Sequence, residues 1–279
     1  MDTAYTVPVE NMVAIGLVLI FSFALPVGLL FFWRKKAKAK LSAFFIGCAT
    51  FFLFAMVLEQ LMHVAVLSLT GEALIQNTWL YALYGGLAAG VFEETGRFLA
   101  MRFCMKNILR RENAVMYGIG HGGIECMLLL GLSYISNFVM VLMIRSGGVE
   151  TMLNTLNALP DQEEAAAALQ TAVEQLCTLP TWQFYMAGVE RISAVMLHIG
   201  LSYLVYRAVK EKKLLYYVLA IAIHFFVDAG TIVLMQYVPV IATEIVLLAA
   251  VGIFLVFVVR QYRNEGAFAK AEMVSEEKI

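Results

Sequence analysis

Charge is what this sequence has least of. Asp, Glu, Lys and Arg make up 15% of its 279 residues, against about a quarter in a typical soluble domain. With 61% hydrophobic residues, that balance excludes an ordinary water-soluble fold. Net charge is near −1, so there is no excess positive field to hold nucleic acid, and no nucleic-acid partner is expected. Cysteine is equally sparse. Cys48, Cys104 and Cys126 fall inside apolar runs and Cys177 stands alone in a loop, which leaves neither a disulfide framework nor a CxxC metal motif. HExxH, the histidine pair that makes a zinc assignment strong from sequence, is also missing. The opening stretch MDTAYTVPVENM has no Lys or Arg and so lacks the basic segment of a cleavable signal peptide. The first apolar run is expected to remain as a helix. No internal repeat or Pro-broken helix pair is visible, features common to many transporter folds.

What the chain does have is length in apolar runs. Seven stretches are long enough to cross a bilayer at about 20 residues each: 11–33, 41–69, 78–105, 114–145, 182–207, 214–236 and 239–260. The fold expected is an all-α, polytopic membrane bundle of about seven transmembrane helices with one short external helix. Residues 1–263 form a single bundle domain with an external loop at 146–181, and 264–279 a disordered cytoplasmic tail. The connections alternate in charge: RKKAKAK, KNILRREN and RAVKEKK follow the first, third and fifth runs, and the other loops carry almost no Lys or Arg. The positive-inside rule then puts the N-terminus outside and the C-terminus in the cytoplasm. In the external loop, Asp161 and Glu164 resemble a capping box, and Leu169, Ala172, Val173 and Leu176 form a narrow apolar stripe at helical spacing.

An ionisable group in hydrocarbon is costly and therefore faces the bundle interior, finds a partner or marks a functional path. Such groups here are Glu59 and His63, then Glu93, Glu94 and Arg97, then His121 and Glu125, then Glu190, Arg191 and His198, then His224 and Asp228. All four histidines of the chain are among them. At ~1.5 Å per residue from the basic end of each run, Glu93 and Glu94 lie ~18–20 Å deep, His121 and His198 ~13 Å, His224 ~16 Å, and Glu125 and Asp228 ~20–22 Å. Four helices thus present ionisable groups to one slab, nearer the basic end, and water is expected to enter from that end. His121 with Glu125, His224 with Asp228, and Glu93 with Arg97 are each four apart and share a helix face. Gly86 and Gly90 on one run and Gly118 and Gly122 on the next would let those two helices approach closely. Glu59 with His63 reads as internal packing or a vestibule contact, and Glu190 with Arg191 as structural.

The words EETGR, YGIGH and HFFVD, in that order, resemble the intramembrane CAAX-protease superfamily, which includes prenyl proteases, PrsW-type proteases and the APH-1 subunit of gamma-secretase. The whole chain is most similar to its bacterial YhfC family, with GHGGIE and HFFVDAG the most recognisable segments. The resemblance maps a glutamate pair with a basic residue onto Glu93, Glu94 and Arg97, an aromatic and histidine onto Tyr117 and His121, and a final pair onto His224 and Asp228. Two departures stand out. Arg97 is one residue nearer the glutamates than usual, so its partner is Glu94 or Glu93. Asp228 replaces an asparagine, and an ionised carboxylate cannot donate to an oxyanion.

The resemblance implies an intramembrane endopeptidase in a bacterial cytoplasmic membrane, acting on a membrane-embedded or membrane-associated protein or peptide. Glu93 with His121 would activate water, and His224 backed by Asp228 would stabilise the oxyanion or protonate the amine, with Glu94 and Glu125 in support. A glutamate-activated water without metal is the preferred chemistry. Zinc on His121, His198 and His224 is the alternative, with a water in the open position. Two other classes remain open: a proton- or cation-coupled transporter using the same buried groups, and an inactive APH-1-like scaffold. Oligomeric state is not legible.

Overall fold

The computed structural model describes residues 5–276. The principal helices are α1 Val9–Ala37, α2 Leu41–Thr70, α3 Thr78–Leu99, α4 Arg111–Arg145, α5 Gly148–Ala158, α6 Glu163–Thr178, α7 Thr181–Glu211, α8 Leu215–Tyr237 and α9 Val240–Glu276. Among the described residues, α1, α2, α4, α7, α8 and the Val240–Ala267 part of α9 are long and apolar enough to cross a membrane. At ~1.5 Å per residue α3 is also long enough, but it carries Glu93, Glu94 and Arg97. Its sequence is the least lipid-like because it carries the polar groups. Three helical stretches widen into π-helix: Phe52–Glu59 in α2, Ala100–Cys104 at the end of α3 and Cys126–Gly131 in α4. Such widenings concentrate at functional sites, and here Glu59 ends one and Glu125 directly precedes another.

The chain divides into two compact units, Met1–Leu25 with Cys126–Arg191, and Pro26–Glu125 with Ile192–Ile279. In the first, Asn11 donates to the Leu176 and Leu179 carbonyls at 3.1 and 3.0 Å and accepts from Thr181 Oγ1 at 2.7 Å, while Tyr134 donates to the Phe184 carbonyl at 2.6 Å. The 146–181 segment holds two helices, α5 and α6, where one was expected. α6 buries Ala166, Leu169, Val173 and Leu176, so the stripe runs through Ala166 and leaves Ala172 out. The capping box does not form, because Asp161 sits in the left-handed region at φ 60° and Gln162 precedes the helix without a side-chain cap. Glu190 pairs with Arg191.

In the second unit, small residues set the spacing. A Cβ on Gly47 would come within 2.2 Å of the Tyr117 carbonyl oxygen, and one on Gly120 within 2.0 Å of that of Phe44, so α2 and α4 touch backbone to backbone. The glycines expected to join α3 to α4 have other partners. Gly86 and Gly90 face Phe225, Ala229 and Ile221 of α8, and Gly118 and Gly122 face Val195, His198 and Ile199 of α7. Glycine spacing reveals a close approach but not the neighbour. Helix α9 continues beyond the expected end of the bundle at 263. Glu265 accepts from Tyr203, Tyr206 and Lys210 at 3.0, 2.7 and 2.6 Å, which is the physical reason that the first residues assigned to a disordered tail are helical; 277–279 lie outside the described residues.

Candidate functional site

The second unit gathers most of its buried ionisable side chains at one place. Glu93, Glu94, Arg97, His121, Glu125, His198 and His224 are all buried, with Glu94, Arg97 and His121 completely so. They come from α3, α4, α7 and α8, the four helices the depth count singled out. His121 Nε2 donates to Glu93 Oε2 at 2.8 Å, so in that tautomer Nδ1 keeps its lone pair, and Nδ1 is buried with no hydrogen-bond partner. Arg97 Nη2 donates to His198 Nδ1 at 3.0 Å. The ring's other nitrogen therefore carries the proton, facing Glu125 Oε2 at 2.5 Å. His224 Nδ1 donates to Glu94 Oε1 at 2.9 Å, and its Nε2 stands 3.4 Å from Asp228 Oδ2. The imidazoles of His121 and His198 have centroids 4.8 Å apart, and those of His198 and His224 5.4 Å.

The two adjacent glutamates have different tasks, because neighbours on a helix point about 100° apart. Arg97 pairs with Glu94 in a fully buried ion pair, so of the two partners open to it from sequence it takes the one three residues away. That releases Glu93 to face His121. Glu93 Oε2 also lies 3.9 Å from His198 Nδ1. Tyr117 stacks on His121 with centroids 6.0 Å apart, and Phe51 meets the same ring edge-on at 5.2 Å, fixing its plane.

Ligand atoms of Glu93, His121 and His198 all lie within 4.8 Å of one another. One carboxylate and two imidazoles make a donor set that suits a zinc-like ion, and the unpartnered His121 Nδ1 marks a lone pair free for coordination. The donor types fit a divalent metal, but both nitrogens of His198 are engaged, Nδ1 by Arg97 and Nε2 by Glu125, so ligation by that ring requires the Arg97 hydrogen bond to open. The set has Glu93 in place of His224.

Partly exposed polar side chains lie on the side away from the basic end, where the sequence reading did not put the entry of water. One turn nearer that end, Met101 and Tyr117 are fully buried. On the other side, the Asp228 side chain is 35% exposed and that of His63 24%. Glu59 lies 3.3 Å from His63 Nε2, and Tyr84, which by sequence is no more than part of an apolar run, meets His63 Nδ1 at 2.7 Å. A single Tyr in an apolar helix gives no signal of that pairing.

These features define a polytopic helical membrane protein with one buried Glu/His/Arg cluster. The family model described as YhfC intramembrane metalloprotease matches residues 21–251, and the chain belongs to that family. It is 37% identical over 252 residues to the protein named "Uncharacterized membrane protein YhfC" of Bacillus subtilis (strain 168), covering 88% of this chain and 95% of the relative. No solved structure matches.

Proposed function

We propose that the chain is an intramembrane endopeptidase that hydrolyses a peptide bond of a membrane-embedded or membrane-associated protein. The observation that supports this best is the hydrogen bond from His121 to Glu93 at 2.8 Å inside a buried cluster. It sets a carboxylate base beside an oriented imidazole, with a third ring, His198, held by Arg97 and Glu125.

In this reading Glu93 takes a proton from the attacking water, whose oxygen adds to the scissile carbonyl carbon. His121, oriented by Glu93 and stacked on Tyr117, holds that water. Glu94 holds His224 through Nδ1, and Nε2, only loosely approached by Asp228 at 3.4 Å, turns from it to donate to the oxyanion and then to the leaving amine. Arg97 neutralises Glu94 and, by donating from Nη2 to His198 Nδ1, puts that ring's proton on Nε2 toward Glu125. Glu93, His121 and His198 are the residues that would hold zinc once His198 releases Arg97, in keeping with the metalloprotease description of the family; Glu93 would then be a ligand in place of the base. When bound, such an ion supplies Lewis acidity and lowers the pKa of its water. The alternation of its basic loops supports an orientation with the N-terminus outside and the C-terminus inside, and the family resemblance supports a bacterial cytoplasmic membrane.

The test maps new peptide termini in membranes of cells expressing the wild type or Glu93→Gln at equal levels. Termini that require the wild type and fall by roughly 10²–10⁴-fold in the variant are expected, the range contributed by a general base. Identical termini in both would overturn the proposal and leave the transporter or scaffold reading.

A further inference from the structure

Glu59, His63 and Tyr84 take no part in the chemistry above, yet they form a connected string. Tyr84 OH donates to His63 Nδ1 at 2.7 Å, with Met62 Sδ 3.2 Å from the same hydroxyl, and His63 Nε2 lies 3.3 Å from Glu59 Oε1. At ~1.5 Å per residue from the helix ends opposite the basic loops, Tyr84 and His63 stand ~10 Å in, Asp228 and Glu59 ~13–16 Å, and Glu93 ~22 Å. Glu59 lies within electrostatic reach of Glu93, His224 and Asp228. The polar groups therefore descend in order from that end to the reacting carboxylate. The two shallower groups are the more open: the side chains of His63 and Asp228 are 24% and 35% exposed, those of Glu59 and Glu93 each 9%.

A hydrolytic site buried among four helices needs water from somewhere. Each turnover consumes one water: its oxygen and one hydrogen join the acyl carbon as hydroxyl, the C–N bond breaks, and the other hydrogen ends on the amine. Polar side chains that are partly open and bonded to one another hold a hydrated path where apolar ones would exclude it. We propose that Tyr84, His63 and Glu59 line the water entrance of the site, which opens at the end of the helices opposite the basic loops. This assignment rests on the hydrolytic reading above, but its test does not depend on activity.

The chain, with Cys104 and Cys177 replaced by serine, carries His63→Cys or Tyr84→Cys in proteoliposomes of known orientation. A cationic, membrane-impermeant methanethiosulfonate is applied to one side at a time. Leu61→Cys and Val64→Cys serve as controls, since both positions are more than 60% exposed on the apolar surface but should face lipid. Reaction at 63 and 84 from the side opposite the basic loops, at least roughly ten times faster than at 61 and 64, is expected, because a charged reagent is excluded from hydrocarbon. Rates no higher than the controls, or reaction only from the basic side, would overturn the entrance. Hydroxyl-radical footprinting of the unsubstituted protein in the same liposomes checks the result without a mutation: Met62, His63 and Tyr84 should be modified well above Leu61 and Val64, and equal modification would count against it. Repeating the labelling in Glu93→Gln separates the two proposals, because the entrance should stay open where hydrolysis is lost.

Discussion

The two compact units bury polar groups in contrasting ways. In the first, Asn11, Ser22 and Tyr134 reach backbone carbonyls, the arrangement of side chains that hold helices in place. In the second, Glu93 meets His121, Glu94 meets Arg97 and His224, and Arg97 meets His198. Acids, bases and a cation are bonded to one another and desolvated together. A buried ion pair of this kind is a poor way to gain stability, since an apolar replacement of equal volume often does as well. A cluster of this kind on four helices supports the proposed chemistry more than a folding role.

That contrast can be broken from either side. The largest stability effect should follow Arg97→Leu, which leaves the Glu94 carboxylate buried without its cation. A loss of about 3–5 kcal/mol is expected on removing one partner of a buried pair, measured by denaturant unfolding in mixed micelles; a loss below about 1 kcal/mol would show that the site is wetter than its geometry. Next is Gly120→Ala. Its Cβ would stand 2.0 Å from the Phe44 carbonyl oxygen, so α2 and α4 must separate, at a cost of about 1–3 kcal/mol as overpacking goes, and His121 must shift with its helix. An unchanged unfolding midpoint would mean that the helices slide freely there. The smallest effect should come from Asn11→Ala in the other unit, which leaves two carbonyls short of a donor and lowers stability by about 1 kcal/mol with cleavage intact.

Much of the fold was legible because lipid imposes long apolar runs: among the described residues, six of the seven expected spans coincide with helices long and apolar enough to cross, each starting within three residues of its expected start. The cluster was legible through depth, since carboxylates and imidazoles at one level on four helices can satisfy one another only by converging. The remainder depended on rotation and neighbours, which a linear pattern does not carry. Spacing of four made Glu93 and Arg97 look like partners, yet the guanidinium turned to Glu94, and the glycine pairs named the seam but not the helix across it. The helix Gly148–Ala158 was missed because Gly147 and Gly148 read as loop. Gly147 in fact takes the left-handed turn, φ 73°, that starts the helix. The end of α9 was missed because the anchors of Glu265 lie on α7, some sixty residues upstream.

The most direct test measures unfolding midpoint and substrate cleavage together for purified Glu93→Gln and Asn11→Ala. The account predicts a crossed result: Glu93→Gln keeps the wild-type midpoint and loses cleavage, while Asn11→Ala lowers the midpoint and cleaves normally. If both properties fall together in both variants, or if Glu93→Gln cleaves as the wild type does, the buried cluster is a structural network and the hydrolytic assignment is wrong.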